Sequence, residues 1–241
     1  MKQYLPLIAF LTPFVLFFVV ASAIPYEYVS ESDPDLTEIN PDRYFAMIAT
    51  RVVLMAIAIG IFWRYYTKSF PISVDHWGLI VGTVGAVLWI GVCHLQLESR
   101  FLSMLGQSPD LLGARAGVNP FELYPEQSQR NLFLAFRFTL LVITVPIAEE
   151  LFLRGFFMRF TDAVDWHTLP LRQISGTGLM AGTAYGMLSH PSEVVAAALW
   201  FSLVTWLMIK TNKFWNCVVA HAVTNLILGV YVMNTGSWHL W

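Results

Sequence analysis

Charged residues are scarce in this 241-residue sequence: Asp, Glu, Lys and Arg together make up 12%, against 56% hydrophobic residues. The formal net charge is only −2, so the chain lacks the basic surface that a nucleic-acid partner would require. Mean hydropathy is +0.59, well above that of ordinary soluble domains. The shortage of charge excludes a typical soluble protein and predicts a helical protein that crosses the membrane several times.

Cysteine is equally rare. Cys93 and Cys217 each lie in an apolar stretch, and they form neither a C-x-x-C pair nor a disulfide framework. We interpret both as small buried hydrophobic side chains. The sequence therefore predicts no structural cross-link, and it calls for no cofactor.

Long apolar stretches dominate instead, and a helix needs about 20 apolar residues to cross the hydrocarbon layer. Hydropathy predicts spans near 5–24, 44–63, 77–95, 131–148, 174–190, 193–209 and 214–234. The first stretch ends near 21–23, which resembles a signal-peptide cleavage site, but its length favours a retained helix. The fourth is expected to continue in a more amphipathic form through Phe160. The predicted fold is all-α, a polytopic transmembrane bundle of about seven spans, with residues 1–241 in a single integral membrane domain.

The connections between the predicted spans indicate the orientation, because loops rich in Lys and Arg stay in the cytoplasm. The basic residues on one side are Lys2, Arg64, Lys68, Arg159, Arg172, Lys210 and Lys213. The other side carries Arg43, Arg100, Arg115 and Arg130. This excess predicts a cytoplasmic N-terminus for a protein embedded in the lipid bilayer.

The longest connection, residues 96–130, contains Gly, Pro and charges of both signs, which argue against a further span. Its part 101–105 mixes apolar and polar positions and is expected to lie on the membrane surface as an amphipathic piece. We interpret the whole segment as a surface connector rather than as a lid over a substrate entrance.

Ionisable side chains inside apolar helices are costly, so each is a candidate functional residue. In Glu149-Glu150-x-x-x-Arg154, Glu150 and Arg154 lie one helical turn apart on the same face and can pair. Glu149 points about 100° away from Glu150 and lacks that partner, so it is available as a general base. The alternative is a simple charge cluster at the cytoplasmic end of the fourth span.

Two later spans carry further polar groups. His221 and Asn225 lie one turn apart, so both can donate hydrogen bonds to a single oxygen, as an oxyanion requires. The alternative is a polar contact between helices. His190 is a candidate only because it accompanies the other two motifs. Nearby, Gly182 and Gly186 would let a neighbouring helix approach closely.

The ordered set Glu149-Glu150-x-x-x-Arg154-Gly155, His190 and His221-x-x-x-Asn225 resembles the CPBP family of CAAX-protease and bacteriocin-processing membrane proteins, also called Abi proteins. The resemblance covers roughly residues 131–234, and the overall length and layout are similar to a bacterial subgroup associated with exosortase sorting systems. This resemblance implies a location in a bacterial inner membrane. It implies a glutamic-type intramembrane protease that acts on a membrane-associated protein or peptide. It also implies roles for the polar residues: water activation by Glu149 and His190, oxyanion binding by His221 and Asn225, and support of the site by Glu150 and Arg154.

The region around His190 departs from the family pattern. Gly186 stands four residues before the histidine, where the family usually has an aromatic residue, and the aromatic is Tyr185 instead. The depth of His190 in the membrane raises a second question. A continuous helix from 174 would carry His190 to the membrane face opposite Glu149. We therefore expect the fifth span to begin deeper in the membrane, or to be short and broken around Gly176, Gly178 or Gly182.

A zinc-dependent membrane protease is one alternative. Glu149, His190 and His221 would form a His₂Glu set, and Cys217 could add a thiolate. The sequence has no H-E-x-x-H pair, which disfavours this interpretation.

A non-enzymatic protein is the other alternative: a membrane scaffold, an immunity factor or a transporter that uses the polar residues to pair helices or bind a ligand. A transporter should carry further charges along its spans. Arg51 and Arg137 are the clear candidates, and both lie close enough to span ends to reach the interface.

Overall fold

The computed structural model describes residues 4–29, 37–108, 111 and 117–240. It is 82% helical. The helices are α1 (Leu5–Ala23), α2 (Pro41–Ser69), α3 (His76–Leu95), α4 (Leu97–Met104), α5 (Pro120–Leu123), α6 (Gln127–Phe160), α7 (Gly176–Ser189), α8 (Val194–Thr211) and α9 (Phe214–Thr235). A two-stranded antiparallel hairpin, β1 (Glu27–Val29) and β2 (Thr37–Ile39), follows α1 and pairs Glu27 with Ile39. Single 3₁₀ turns lie at Trp166–Thr168, Leu171–Gln173, Pro191–Glu193 and Trp238–Leu240.

Among the described residues, 6 helical segments are long and apolar enough to cross a membrane, which confirms the all-α transmembrane fold. They are α1, α2, α3 continued by α4, α6, α8 with its preceding turn, and α9. The predicted fifth span, 174–190, is α7, whose 14 residues extend only about 21 Å. This is shorter than the hydrocarbon layer of about 30 Å. The fifth predicted span is therefore a short helix, as expected, and it is continuous through Gly178 and Gly182 rather than broken there.

A stripe of glycines lets α3 pack directly on α9. Gly78 and Gly82 face backbone carbonyls and valine side chains of α9, and a methyl group on Gly82 would overlap them. Gly85, on the same face, lies against the indole of Trp200. The Thr224 hydroxyl of α9 donates to the Gly82 carbonyl over 2.9 Å. Small residues at this spacing are typical of close helix packing in membranes.

Asp75 anchors the start of this helix pair. Its carboxylate caps α3 by accepting from the Trp77 N–H at 3.0 Å, and it also accepts from Lys213 Nζ at 3.0 Å. The Asn216 side chain of α9 donates to the same carboxylate over 2.9 Å. The hydrogen bond from Lys213 holds the pKa of Asp75 below its ordinary value. The ends of α3 and α9 are thus fixed side by side at one face of the bundle.

The connection after α3 is partly helical in its described residues. α4 continues from α3 after a left-handed residue, Gln96, and buries Leu102 while Phe101 and Met104 stay exposed. Its Glu98 carboxylate accepts from the Val195 N–H at the start of α8 over 2.8 Å. The segment 101–105 is therefore an amphipathic helical end attached to α8. Lys2 and Arg115, which were counted for the orientation, lie outside the described residues.

The α7–α8 hairpin depends on glycines at the contact between helices. Gly182 faces the Met158 side chain of α6, and Gly186 lies under the ring of Phe201 in α8. A Cβ at 186 would overlap that ring. The predicted close approach at these two glycines is therefore confirmed.

We expect Gly186→Ala to lower the free energy of unfolding by about 1–3 kcal/mol, because the added methyl group has to displace a packed aromatic ring. Gly60→Ala is the matched control: Gly60 lies within α2 with no atom near its added Cβ. There the substitution should be neutral or stabilising by roughly 0.5–1 kcal/mol. Denaturant titration of both variants in the same detergent measures the difference. Equal stabilities would contradict the proposed overlap with Phe201.

Candidate active site

A cavity of about 600 Å³ lies between the helices. The predicted residues Glu149, His190, His221 and Asn225 all line it. Most of its remaining wall is apolar or aromatic, with Phe14, Phe17, Phe18, Trp89, Tyr185, Trp200 and Phe201 among the lining residues. The fold therefore brings groups from α6, α7 and α9 into one largely apolar chamber.

The polar groups lie at different distances along their helices, measured from the side at which α6 ends and α9 begins. Glu149 is about 16 Å from the end of α6 at Phe160, and His221 is about 10 Å from the start of α9. His190 follows the last residue of α7, about 21 Å from that helix's start on the same side. The expected continuation of the fourth span through Phe160 is confirmed, and Glu149 lies 11 residues before that end of α6.

Glu149 makes two polar approaches among the described residues. Its Oε1 accepts a hydrogen bond from the Tyr185 hydroxyl at 3.0 Å. Its Oε2 lies 3.9 Å from His221 Nε2, which is beyond direct hydrogen bonding. The side chain is 13% exposed and borders the cavity. One carboxylate oxygen is thus engaged, while the other faces the imidazole across a short gap.

Glu150 and Arg154 form a wholly buried ion pair behind the cavity wall. The distance from Arg154 Nη1 to Glu150 Oε2 is 2.5 Å, and both side chains are 0% exposed. The second terminal nitrogen of Arg154 donates to the Phe201 carbonyl at 3.2 Å and lies 3.4 Å from the Thr205 hydroxyl. The pair therefore ties α6 to α8, and its charges compensate each other.

His221 lies between the two carboxylates. Its Nδ1 is 3.2 Å from Glu150 Oε1, and its ring packs edge-on against Trp200 with centroids 4.8 Å apart. The imidazole thus faces Glu150 through Nδ1 and Glu149 through Nε2.

Wide turns in α6 flank the two glutamates. Leu140–Thr144 and Leu151–Phe157 are π-helical, a distortion that often accompanies functional sites. Within the first, the i→i+5 pattern would pair the Leu141 carbonyl with the nitrogen of Pro146, which has no hydrogen to donate. Asn225 Nδ2 donates to that carbonyl over 2.8 Å instead. The amide retains a second N–H for the cavity that it lines.

His190 lies at the junction of α7 with the turn that leads into α8. Its Nδ1 is 3.1 Å from the Gly186 carbonyl and 2.9 Å from the Ser189 hydroxyl. The ring packs edge-on against Trp89 at 5.2 Å between centroids. Because α7 ends here, the histidine stays at the level of the cavity. His190 thus lines the same cavity as Glu149 and His221.

Sequence reasoning missed two parts of the cavity wall. Tyr185 was noted only as a displaced aromatic, yet its hydroxyl reaches the candidate base. Thr224 lies three residues after His221 and accepts from the Trp200 indole at 3.0 Å. The aromatic residue displaced by one position could have indicated that Tyr185 lies at the site. The contact of Thr224 with Trp200 could not be predicted from the sequence, because it depends on which helix packs beside α9.

The zinc alternative requires three ligands close together. Among the described residues, no group of three or more His, Cys, Asp or Glu side chains is arranged to hold a metal ion. Cys217 is fully buried, and its sulfur lies 3.9 Å from the carbonyl oxygens of Val204 and Lys213. Its thiol is therefore directed at backbone groups. Cys93 is only partly buried and, like Cys217, forms no disulfide among the described residues.

The two arginines considered for transport differ in position. Arg51 Nε donates to the Phe17 carbonyl at 2.8 Å, and its guanidinium stacks 3.9 Å from the Phe17 ring centroid. It therefore joins α2 to α1. Arg137 lines the same cavity as Glu149.

Residues 131–227 match the model of the family described as type II CAAX prenyl endopeptidase Rce1-like. The matched region includes both glutamates, Arg154, His190, His221 and Asn225. No curated protein and no solved structure matches the chain. Over residues 131–227, this integral membrane protein is therefore similar to the CAAX protease (CPBP) family.

Proposed function

We propose that the protein is an intramembrane endopeptidase in which Glu149 activates water to hydrolyse a peptide bond of a membrane-associated protein or peptide. The observation that carries the proposal is the position of the Glu149 carboxylate at the wall of an apolar cavity, with Oε2 facing His221 Nε2 at 3.9 Å. A water molecule lying to one side of that gap reaches both atoms within hydrogen-bond distance. His190, on the same cavity wall, helps to orient the water.

The reaction then needs only protein side chains and water. Glu149 takes a proton as the water oxygen attacks the carbonyl carbon, and the carbonyl oxygen gains the negative charge. His221 and the second N–H of Asn225 donate to that oxygen. Glu149 next gives its proton to the amide nitrogen, the C–N bond breaks, and a new carboxyl terminus and a new amino terminus result.

The surroundings of His221 support its role as an oxyanion donor. Glu150 lies within 3.2 Å of Nδ1, so that nitrogen carries a proton that it donates to the carboxylate. Donation from Nε2 to the substrate requires a second proton on the ring, so the donor form in this proposal is the imidazolium. Glu150 and Arg154 hold the ring in place without lining the chamber.

The substrate class follows from the chamber and from the family. The family name refers to prenylated CAAX sequences, and aromatic rings from α1, such as Phe14 and Phe18, give the cavity an apolar wall. An apolar peptide segment or a lipid-modified one fits such a wall. We propose a membrane-associated substrate in a bacterial inner membrane. We also propose a cytoplasmic N-terminus, because Lys68, Arg159 and Lys210 lie at the helix ends that share one side.

Hydrolysis of defined peptides tests the proposal. Two quenched fluorescent peptides ending in Cys-aliphatic-aliphatic-X, one farnesylated at the cysteine and one not, are incubated with purified protein in detergent. We expect cleavage of at least one, and in H₂¹⁸O the new carboxyl terminus should gain one ¹⁸O. The rate should persist in metal-free buffer with 1,10-phenanthroline.

Two results would contradict this mechanism. Activity lost to the chelator and restored by zinc would favour the zinc alternative. A wild-type protein that cleaves neither peptide and leaves the termini of cellular membrane proteins unchanged would remove the protease proposal. Comparing the two peptides also shows whether the prenyl group is needed.

A further inference from the structure

Tyr185 makes the one hydrogen bond that Glu149 receives from a side chain among the described residues. The hydroxyl donates to Glu149 Oε1 at 3.0 Å, from α7 to α6. Arg154, the nearest cation in the sequence, is committed to Glu150 on the buried side. The polar support of the proposed base therefore comes from a neutral phenol on another helix.

The ring that carries this hydroxyl is fixed by aromatic neighbours. Centroid distances from Tyr185 are 5.5 Å to Phe152, 6.2 Å to Phe157, 5.8 Å to Phe201 and 6.1 Å to Phe14. These rings come from α1, α6 and α8 and enclose Tyr185 on several sides. Such packing limits the rotation of the phenol and holds its hydroxyl at one point.

We propose that Tyr185 is a positioning residue for the proposed reaction: its hydroxyl engages Glu149 Oε1 and so reserves Oε2 as the oxygen that exchanges protons with water and the leaving amine. The inference rests on the proposed role of Glu149. A carboxylate without such a donor can rotate and present either oxygen to the cavity. A fixed carboxylate keeps the basic oxygen directed at the gap beside His221.

The same hydrogen bond serves both protonation states of Glu149. When the carboxylate is ionised, the phenol donates to one of two equivalent oxygens. After Oε2 has taken a proton from water, Oε1 is the carbonyl oxygen of the acid and still accepts. The donor therefore stays in place through both proton transfers, and the captured proton remains on the oxygen that faces the substrate.

Tyr185→Phe isolates the hydroxyl, because the substituted ring keeps the aromatic contacts. We expect kcat for the probe peptide cleaved by the wild type to fall about 10- to 100-fold, the size expected when a hydrogen bond to a charged reacting group is lost. KM should stay within about twofold, since substrate binding does not use this bond. The melting temperature should remain close to that of the wild type.

Thr183→Val is the matched control. It removes a hydroxyl from the same helix, where Thr183 pairs with Ser202 at 3.1 Å away from the cavity, and it should leave kcat unchanged. Tyr185→Leu should lower stability as well as kcat, because it removes the ring.

The outcomes separate the inference from the proposed function. Wild-type kcat in Tyr185→Phe, together with loss of activity in Glu149→Gln, would overturn the role of Tyr185 and leave the base assignment standing. A raised KM with unchanged kcat would also overturn it, since the phenol would then be a substrate contact. Full activity in Glu149→Gln would instead contradict the proposed function itself.

Discussion

Replacing Glu149 with glutamine is expected to lower kcat by about 10²- to 10⁴-fold, the range for loss of a general base. Glutamine has nearly the same shape, and its amide oxygen can still accept from Tyr185. It cannot take a proton from water, so the attack on the peptide carbonyl loses its base. Peptide cleavage by the purified protein measures kcat directly, and KM should change little.

Glu126→Gln provides the matched control for this change. Glu126 is an exposed residue just before α6, so the same loss of charge there should leave kcat at the wild-type level. A scaffold, immunity factor or transporter should keep its cellular function in Glu149→Gln. A proteomic comparison of membrane-protein termini in cells with the wild type or Glu149→Gln tests this outside the purified system. Identical termini, or more than about a tenth of the wild-type kcat, would count against Glu149 as base.

The sequence predicted most of the spans because composition alone defines them. Three predicted spans agree with the helices to within one residue at each end: 5–24 with α1, 77–95 with α3 and 214–234 with α9. The α2 prediction, 44–63, was short because hydropathy does not register Pro41 after the cap at Asn40, or the amphipathic end at 64–69. Hydropathy also could not distinguish α7 from a true span, since its residues are apolar but too few.

The polar motifs predicted which residues share the site, and local spacing explains why. Residues four apart on a helix lie on one face, so the Glu150–Arg154 contact and the common wall of His221 and Asn225 follow from the spacing. Spacing does not determine which atoms meet across helices. The contact of His221 Nδ1 with Glu150, and that of Asn225 with Leu141, depend on the π-helical turns and on Pro146. The hydrogen bond from Tyr185 to Glu149 also joins two helices, so spacing along one helix does not predict it either.

Replacing Arg154 with methionine is expected to be the most destabilising single change at the site. It would leave Glu150 buried without its cation, beside a second carboxylate, at a cost of about 3–5 kcal/mol. The apparent melting temperature in detergent should fall by about 6–20 °C for a chain of this length. Arg100→Met is the control, because Arg100 is exposed within α4, and it should shift the melting temperature by little.

A second substitution separates the stability of this pair from its effect on the reaction. Glu150→Leu combined with Arg154→Met removes both charges, and an apolar pair in the same volume should recover most of the lost stability. His221 would then lack the acceptor for Nδ1, so kcat should stay about 10-fold or more below wild type. Recovery of stability without recovery of kcat would identify the pair as support for His221. If both recover together, the pair only stabilises the fold and the orientation of His221 has another source.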